Sequence, residues 1–372
     1  MSLSFHTYRE ILQQPATWLA SYEIVRERKK EISEFIHKHL DEGYSVVLTG
    51  AGTSAYIGDA LECSLLYTLF RGARAIATTD IITNPHLYFD SQSKVLLISF
   101  ARSGNSPESV AAVNLVEKTA GKVAHIFITC NAEGELAKRK GRNILTLLLP
   151  PETNDKSLAM TSSYSSMLLT CSLISHIDTI DEDYALMETV AKAVGKAIER
   201  YENDIKEIAG RDFKRAVFLG SGPLKGVAEE SRLKLQELTD GAVMCAFDSF
   251  LGFRHGPKAV VNQDTLLVYL LSPNADVRRY EMDLVNQIHK GNKIKGAVAV
   301  YMKGCGVNPS PWDLSVELDI PVSMPSCYGA VAYVFVAQML GLFKSMDIGL
   351  NPDTPSVSGN ISRVVEGVTL YD

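Results

Sequence analysis

VVLTGAGTS, residues 46–54, reads as a short apolar strand running into a Gly-x-Gly turn and then a helix. Val46, Val47 and Leu48 form a run suited to a strand covered on both faces. Gly50 and Gly52 free the backbone for a sharp turn, and Thr53 and Ser54 open the helix. The pattern returns at 216–224 as AVFLGSGPL. Farther out, KVLLISFARSG (94–104) is echoed by DTLLVYLLSPN (264–274). Two such matches in the same order imply a tandem duplication of one α/β unit.

Around the first copy the periodicity predicts strands at 46–48, 73–77, 95–99, 125–129 and 144–149, separated by helices over about 55–70 and from Pro107 onward. Pro150-Pro151 closes this half, and 161–208 reads as two helices. Strands then resume at 216–219, 243–247, 265–271 and 297–301, with helices over 223–239 and about 327–346. The first forty residues are helical and Gly43 stops them. Continuous apolar strands alternating with helices mean a parallel sheet covered on both faces. The expected fold is α/β: two tandem three-layer αβα sandwiches with parallel sheets, plus an N-terminal helix. The expected divisions are 1–42 (helical segment), 43–209 (first domain with linking helices), 210–350 (second domain) and 351–372 (C-terminal tail).

Composition narrows the function. The chain has 372 residues, 46% hydrophobic and 22% charged, which suits two cores and excludes a disordered chain. Acids outnumber bases 43 to 37, for a net charge of −6, which counts against a nucleic-acid partner. The basic run Arg26, Arg28, Lys29, Lys30 is interleaved with Glu23, Glu27 and Glu31 and reads as a solvated helix face. The apolar stretch 331–343 is shorter than the roughly 20 residues of a membrane span, so a buried helix is expected. MSLSFHTYRE has no apolar h-region, so no signal peptide is expected. The six cysteines form no CxxC pair and no metal-ligand spacing with the eight histidines. They read as reduced, mostly packing thiols in a cytoplasmic protein.

Ligands of open parallel sheets bind at the C-terminal ends of strands. Two such ends in the first half are rich in small hydroxyl residues: Gly50 to Ser54, and Arg102-Ser103-Gly104-Asn105-Ser106-Pro107. Helix N-termini with Ser, Thr and Gly suit a phosphate; each loop alone is equally a capped turn, with Ser106 as N-cap. GAGTSA also satisfies the G-x-G-x-x-A dinucleotide pattern. That reading expects an acid about 20 residues on; Asp80 lies later, and the second Ser/Gly loop would have no role. In the second half, Glu230, Lys234 and Glu237 share a helix, and Glu230 and Lys234 are spaced to pair on its surface. His255, in Phe-Arg-His-Gly-Pro, lies on a turn and is the best proton-transfer candidate among the histidines. His37 and His39 are expected to face solvent.

TGAGTSAYIGDA, SFARSGNSPESVAAV, LKLQELTDG, GFRHGPKAVV and NPDTPSVSGNISRVVEGV, in this order, resemble the sugar isomerase (SIS) family with two SIS domains, over about residues 15–370. The nearest likeness is to the tagatose-6-phosphate ketose/aldose isomerases, whose group includes galactosamine-6-phosphate deaminases. A more distant one is to the isomerase half of glucosamine-6-phosphate synthase. The resemblance implies sugar-phosphate binding by Gly52, Thr53, Ser54, Arg102, Ser103, Ser106, Thr161, Ser162, Lys234 and Arg363. It implies Glu237 as the base moving a proton between C2 and C1, and His255 as the ring-opening residue. His255 would reach the site from a neighbouring subunit, hence a homodimer or higher homo-oligomer, with no nucleic-acid or membrane partner. Ala101, Arg102 and Arg363 depart from the synthase pattern; Arg363 replaces the Schiff-base lysine, and a guanidinium is a poor imine former. The expected activity, without a metal or a cofactor, is conversion of galactosamine 6-phosphate or glucosamine 6-phosphate to a ketose 6-phosphate plus ammonia. The alternatives are ketose/aldose isomerisation without deamination, and a non-enzymatic sugar-phosphate-binding regulator.

Overall fold

The structure is a computed structural model and describes residues 4–291, 293–308, 311–365 and 367–371. Among the described residues, ten strands form two five-stranded sheets, parallel throughout. The strands are β1 (Ser45–Thr49), β2 (Arg74–Ala75), β3 (Lys94–Ala101), β4 (Lys122–Thr129), β5 (Ile144–Leu148), β6 (Arg215–Gly220), β7 (Met244–Asp248), β8 (Thr265–Leu270), β9 (Gly296–Lys303) and β10 (Leu314–Pro321). The first sheet runs β2-β1-β3-β4-β5 and the second β10-β9-β8-β6-β7. Read from the strand after the first Gly-x-Gly turn, the two orders are the same. Their registers agree as well: Val46 pairs with Leu96, and Ala216 with Leu266.

The central strands are the apolar ones. Seven of the eight residues of β3 and all six of β8 are buried. Helices cover them: Thr53–Leu61 and Pro107–Thr119 belong to the first half, Pro223–Leu238 and Ala275–Gly291 to the second. Val47, Leu97, Phe127, Val113 and Val116 share one core cluster. β10 was not foreseen. Its burial alternates along Leu314, Val316, Leu318 and Ile320, as befits an edge strand with one wet face. That alternation, rather than a solid apolar run, hid it.

The chain divides into two compact units. One holds the first sheet and comprises Ala16–Asp155, Met160–Met187 and Ser362–Asp372. The other holds the second sheet and comprises Met1–Pro15, Lys156–Ala159 and Glu188–Ile361. Most of the helix Tyr184–Ala209 therefore counts with the second sheet.

The N-terminal segment is three helices, His6–Leu12, Gln14–Glu27 and Lys29–Asp41. Its basic run is neutralised locally: Arg26 pairs with Glu23 at 2.6 Å and Arg28 with Glu31 at 2.9 Å. His39 does not face solvent. It is buried against Phe35 and Tyr44, with Nδ1 2.8 Å from the Phe35 carbonyl. The last helical segment, Ser326–Asp347, is long and apolar enough to cross a membrane, but 94% of its most apolar stretch is buried within the protein. It packs on Pro223–Leu238, where Gly341 permits the approach: a Cβ there would lie 2.7 Å from Leu238 and 3.0 Å from the Lys234 carbonyl.

Candidate active site

In the first unit, β1 and β3 lie side by side and the chain leaves them in opposite directions across the sheet. Such a switch point opens a crevice above the strand ends. A cavity of about 140 Å³ lies there, and Ser54, Arg102, Ser103, Ser106 and Arg363 all line it. Gly52 lies outside its lining, between Ala51 and Ser54, which belong to it. Its φ of 53° and ψ of −126° are left-handed, and it caps the helix Thr53–Leu61. Ser106 caps Pro107–Thr119, with Pro107 at the first helical position, as expected. Its hydroxyl donates to Glu108 at 2.8 Å and accepts no bond from the helix N–H groups. Ser109, one turn on, also lines the cavity and was missed. Its spacing of three from Ser106 was the available signal.

The remaining first-half residues lie outside that lining. Thr53 is buried beside it. Thr161 and Ser162 are fully buried and serve Asp155: the Thr161 amide donates to Asp155 Oδ2 at 2.8 Å, and the Ser162 hydroxyl donates to Oδ1. The Ser163 amide adds a bond of 2.9 Å to Oδ2. Asp155 thus satisfies the opening turn of the helix Ser162–Ser175. Arg363 donates through Nε to the Asp155 carbonyl at 2.9 Å and through Nη2 to Asn154 at 3.0 Å. Arg102 donates in turn to the Arg363 carbonyl. The two guanidiniums thus fasten the segment Arg363–Val365 along the cavity wall.

In the second unit, Glu230, Lys234 and Glu237 share one face of Pro223–Leu238, as their spacing requires. Surface pairing was the simpler expectation for the first two; the structure buries both completely. Lys234 Nζ lies 3.3 Å from Glu230 and donates to Glu237, whose side chain stays 14% exposed. Burial alone would lower the lysine pKa; the two carboxylates outweigh it and hold the pKa above its usual value. The outcome is a fixed ammonium that orients one partly accessible carboxylate.

His255 is exposed on the turn after Phe250–Phe253, whose two phenylalanines are buried anchors. Arg254 ties the turn to Ala275–Gly291 through Asp283 at 2.7 Å and Gln287 at 3.2 Å. Gly256, with φ of 121°, lets the chain reverse. The His255 side chain makes no hydrogen bond or ion pair among the described residues. Among those residues, no cluster of three or more His, Cys, Asp or Glu side chains could hold a metal ion.

A SIS domain model matches residues 40–177, which contain the first sheet. A D-galactosamine-6-phosphate deaminase of Escherichia coli O157:H7 is 36% identical over 371 residues, covering 98% of this chain and 95% of its own. The crystal structure of tagatose-6-phosphate ketose/aldose isomerase from Escherichia coli superposes with a TM-score of 0.89 at 33% identity, over 99% of this chain and 97% of that one. The C-terminal domain of glucosamine-fructose-6-phosphate aminotransferase from Francisella tularensis shares the fold, with a TM-score of 0.81 at 17% identity, over 95% of this chain and 99% of that one. Paired five-stranded sheets, a hydroxyl-lined cavity at the first switch point and a likeness of this extent together show that the chain belongs to the SIS-domain sugar isomerase family, alongside the galactosamine-6-phosphate deaminases.

Proposed function

We propose that this protein is an amino-sugar phosphate deaminase/isomerase that converts galactosamine 6-phosphate, or glucosamine 6-phosphate, to a ketose 6-phosphate and ammonia. The observation that carries the reading is the Glu230–Lys234–Glu237 cluster. A buried ammonium holding a partly exposed carboxylate is the equipment of a positioned base. The cavity of Ser54, Arg102, Ser103 and Ser106 suits the phosphate, with hydroxyl donors and a guanidinium. Gly52 and Thr53 set its turn, while Thr161, Ser162 and Arg363 support its wall.

His255 protonates the ring oxygen as the C1 hydroxyl gives up its proton, the C1–O5 bond breaks, and the pyranose opens to the aldehyde. Glu237 takes the C2 proton while O1 gains one, giving an enolamine, and returns it to C1 as the amine nitrogen loses one. The product is a C2 ketimine. Water adds to it, the C–N bond breaks, and ammonia and a ketose 6-phosphate remain. No redox change occurs, and the chain's own residues supply the proton transfers. The exposed turn of His255 supports its delivery to a second copy in a homodimer. The free thiols of Cys63, Cys130, Cys245 and Cys305 suit a cytoplasmic setting.

The likeness to the Escherichia coli isomerase structure supports the second reading, ketose/aldose isomerisation without deamination. One experiment separates the two. Purified protein is given galactosamine 6-phosphate, glucosamine 6-phosphate and tagatose 6-phosphate, and both ammonia and sugar products are measured. Ammonia from either amino sugar is expected. Interconversion of tagatose 6-phosphate with an aldose, without any ammonia release, would replace deamination by isomerisation. Binding without turnover of any of the three would leave a sensor.

A further inference from the structure

The second sheet carries a cavity that this reaction leaves unused. It holds about 250 Å³, and its lining includes Ser221, Leu224, Ser272, Val277, Met302 and Tyr333. Its place is the counterpart of the phosphate cavity, at the ends of β6 and β8 where the second sheet reverses its winding. The turn geometry is repeated closely. Gly222 has φ 56° and ψ −128°, against 53° and −126° at Gly52. A Cβ on Gly220 would lie 2.1 Å from the Leu224 carbonyl oxygen, as one on Gly50 would lie 2.5 Å from the Ser54 backbone.

The chemistry is not repeated. Leu224 stands where the first cavity has Ser54, and among the described residues no basic side chain lines the second. Pro223 opens the helix and has no N–H to offer. Behind Ser272 lies the fully buried Glu281, whose Oε2 accepts the Ser272 amide at 2.8 Å. The Ser221 hydroxyl also faces this carboxylate. Burial pushes the Glu281 pKa up, against the Ser272 amide, the Ser221 hydroxyl and the nearby Arg278 guanidinium, which favour its charged form. The lining thus lacks the guanidinium and the helix N–H that the first cavity offers a phosphate, and Arg278 is spent on the carbonyls of Ser272 and Pro273 at 2.7 and 3.0 Å. What remains is a largely apolar pocket edged by the hydroxyls of Ser221, Ser272 and Ser326.

We propose that this cavity is a second ligand site, and that it binds a small uncharged hydroxyl-bearing molecule of the class of an unphosphorylated pyranose. A pyranose presents C–H faces to apolar walls and hydroxyls to an edge of serines. The proposal stands independently of the deaminase reading.

The test is calorimetric titration of the full chain with D-galactose and D-tagatose, in wild type, Ser272→Ala, Val277→Trp and Ser103→Ala. Saturable binding is expected in wild type. It should weaken about tenfold in Ser272→Ala, the size of one neutral hydrogen bond, vanish in Val277→Trp, and persist in Ser103→Ala. A melting scan shows whether Val277→Trp folds; where it does not, Ser326→Ala joins Ser272→Ala as the deciding pair. Absence of saturable binding by either sugar would overturn the proposal. So would binding that Ser103→Ala removes and Ser272→Ala leaves alone, which would place the sugar in the phosphate cavity.

Discussion

Lys234 is the residue on which the second unit's chemistry turns. It has no exposure, and its two acidic partners keep it charged. Removing one member of a buried ion cluster costs about 3–5 kcal/mol, because the remaining charges lose their counterion. Lys234→Met should lower the free energy of unfolding by that amount in urea titrations; a loss below about 1 kcal/mol would mean that the carboxylates are solvated without it. Glu237→Gln is a different experiment on the same cluster. Turnover should vanish while sugar-phosphate affinity stays within a few-fold of wild type, and retained turnover would take Glu237 out of the mechanism. His125 gives the pH dependence. It is buried on β4, with Nε2 3.0 Å from Glu117, and burial, aided by Arg139, lowers its pKa from 6.5 to about 4. Between those values the unfolded chain binds the extra proton. Stability is therefore fully present above about pH 6.5 and falls as the pH drops toward 4, by up to about 3 kcal/mol. His125→Phe should flatten that limb in denaturation curves at pH 7 and 5; an unchanged slope would assign it to other groups. At this scale the sequence showed residue types but not their surroundings. Glu230 and Lys234 read as a surface pair because spacing carries no burial. Asp155 and Asn154 went unnoticed because their partners, Ser162, Ser163 and Arg363, meet them only through the fold.

Elements explain why the cluster holds its geometry. The helix bearing Glu237 packs closely on Val334–Asp347 at Gly341. Gly341→Ala would drive a methyl into Leu238 and the Lys234 carbonyl, an overpacking worth about 1–3 kcal/mol. It should also lower kcat by moving Glu237, with KM little changed; wild-type kcat with lowered stability would show that the cluster tolerates the shift. In the first unit, Ser103→Ala should raise KM more than it lowers kcat, because it removes a contact made before the reaction begins. An unchanged KM would put the phosphate elsewhere. Strands buried on both faces, such as β3 and β8, were legible as solid apolar runs. β10 was not, because half of its side chains face water. The helix foreseen over about 55–70 ends at Leu61, and a 3₁₀ turn, Ser64–Tyr67, follows it.

At the scale of the whole molecule, the repeated Gly-x-Gly turn carried the architecture. Equal strand orders and matched turn dihedrals support descent of both sheets from one unit. The assembly has a direct test. If His255 serves the site of a second copy, Glu237→Gln and His255→Asn should each be inactive. Their mixture should recover about a quarter of wild-type activity, since half of the dimers are then mixed and each keeps one intact site. No recovery, with exchange of chains verified by native mass spectrometry, would keep His255 within its own chain's site. The segment Ser326–Asp347 has a consequence for synthesis. A ribosome delivers it only after β6 to β9 and the helix Pro223–Leu238 have emerged. The partners it packs against are thus in place before it arrives, and the greasiest stretch of the chain spends little time in search of cover. Reversing that schedule, by a circular permutation that places 326–347 first, would hand nascent-chain chaperones and the membrane-insertion machinery a competing claim on it.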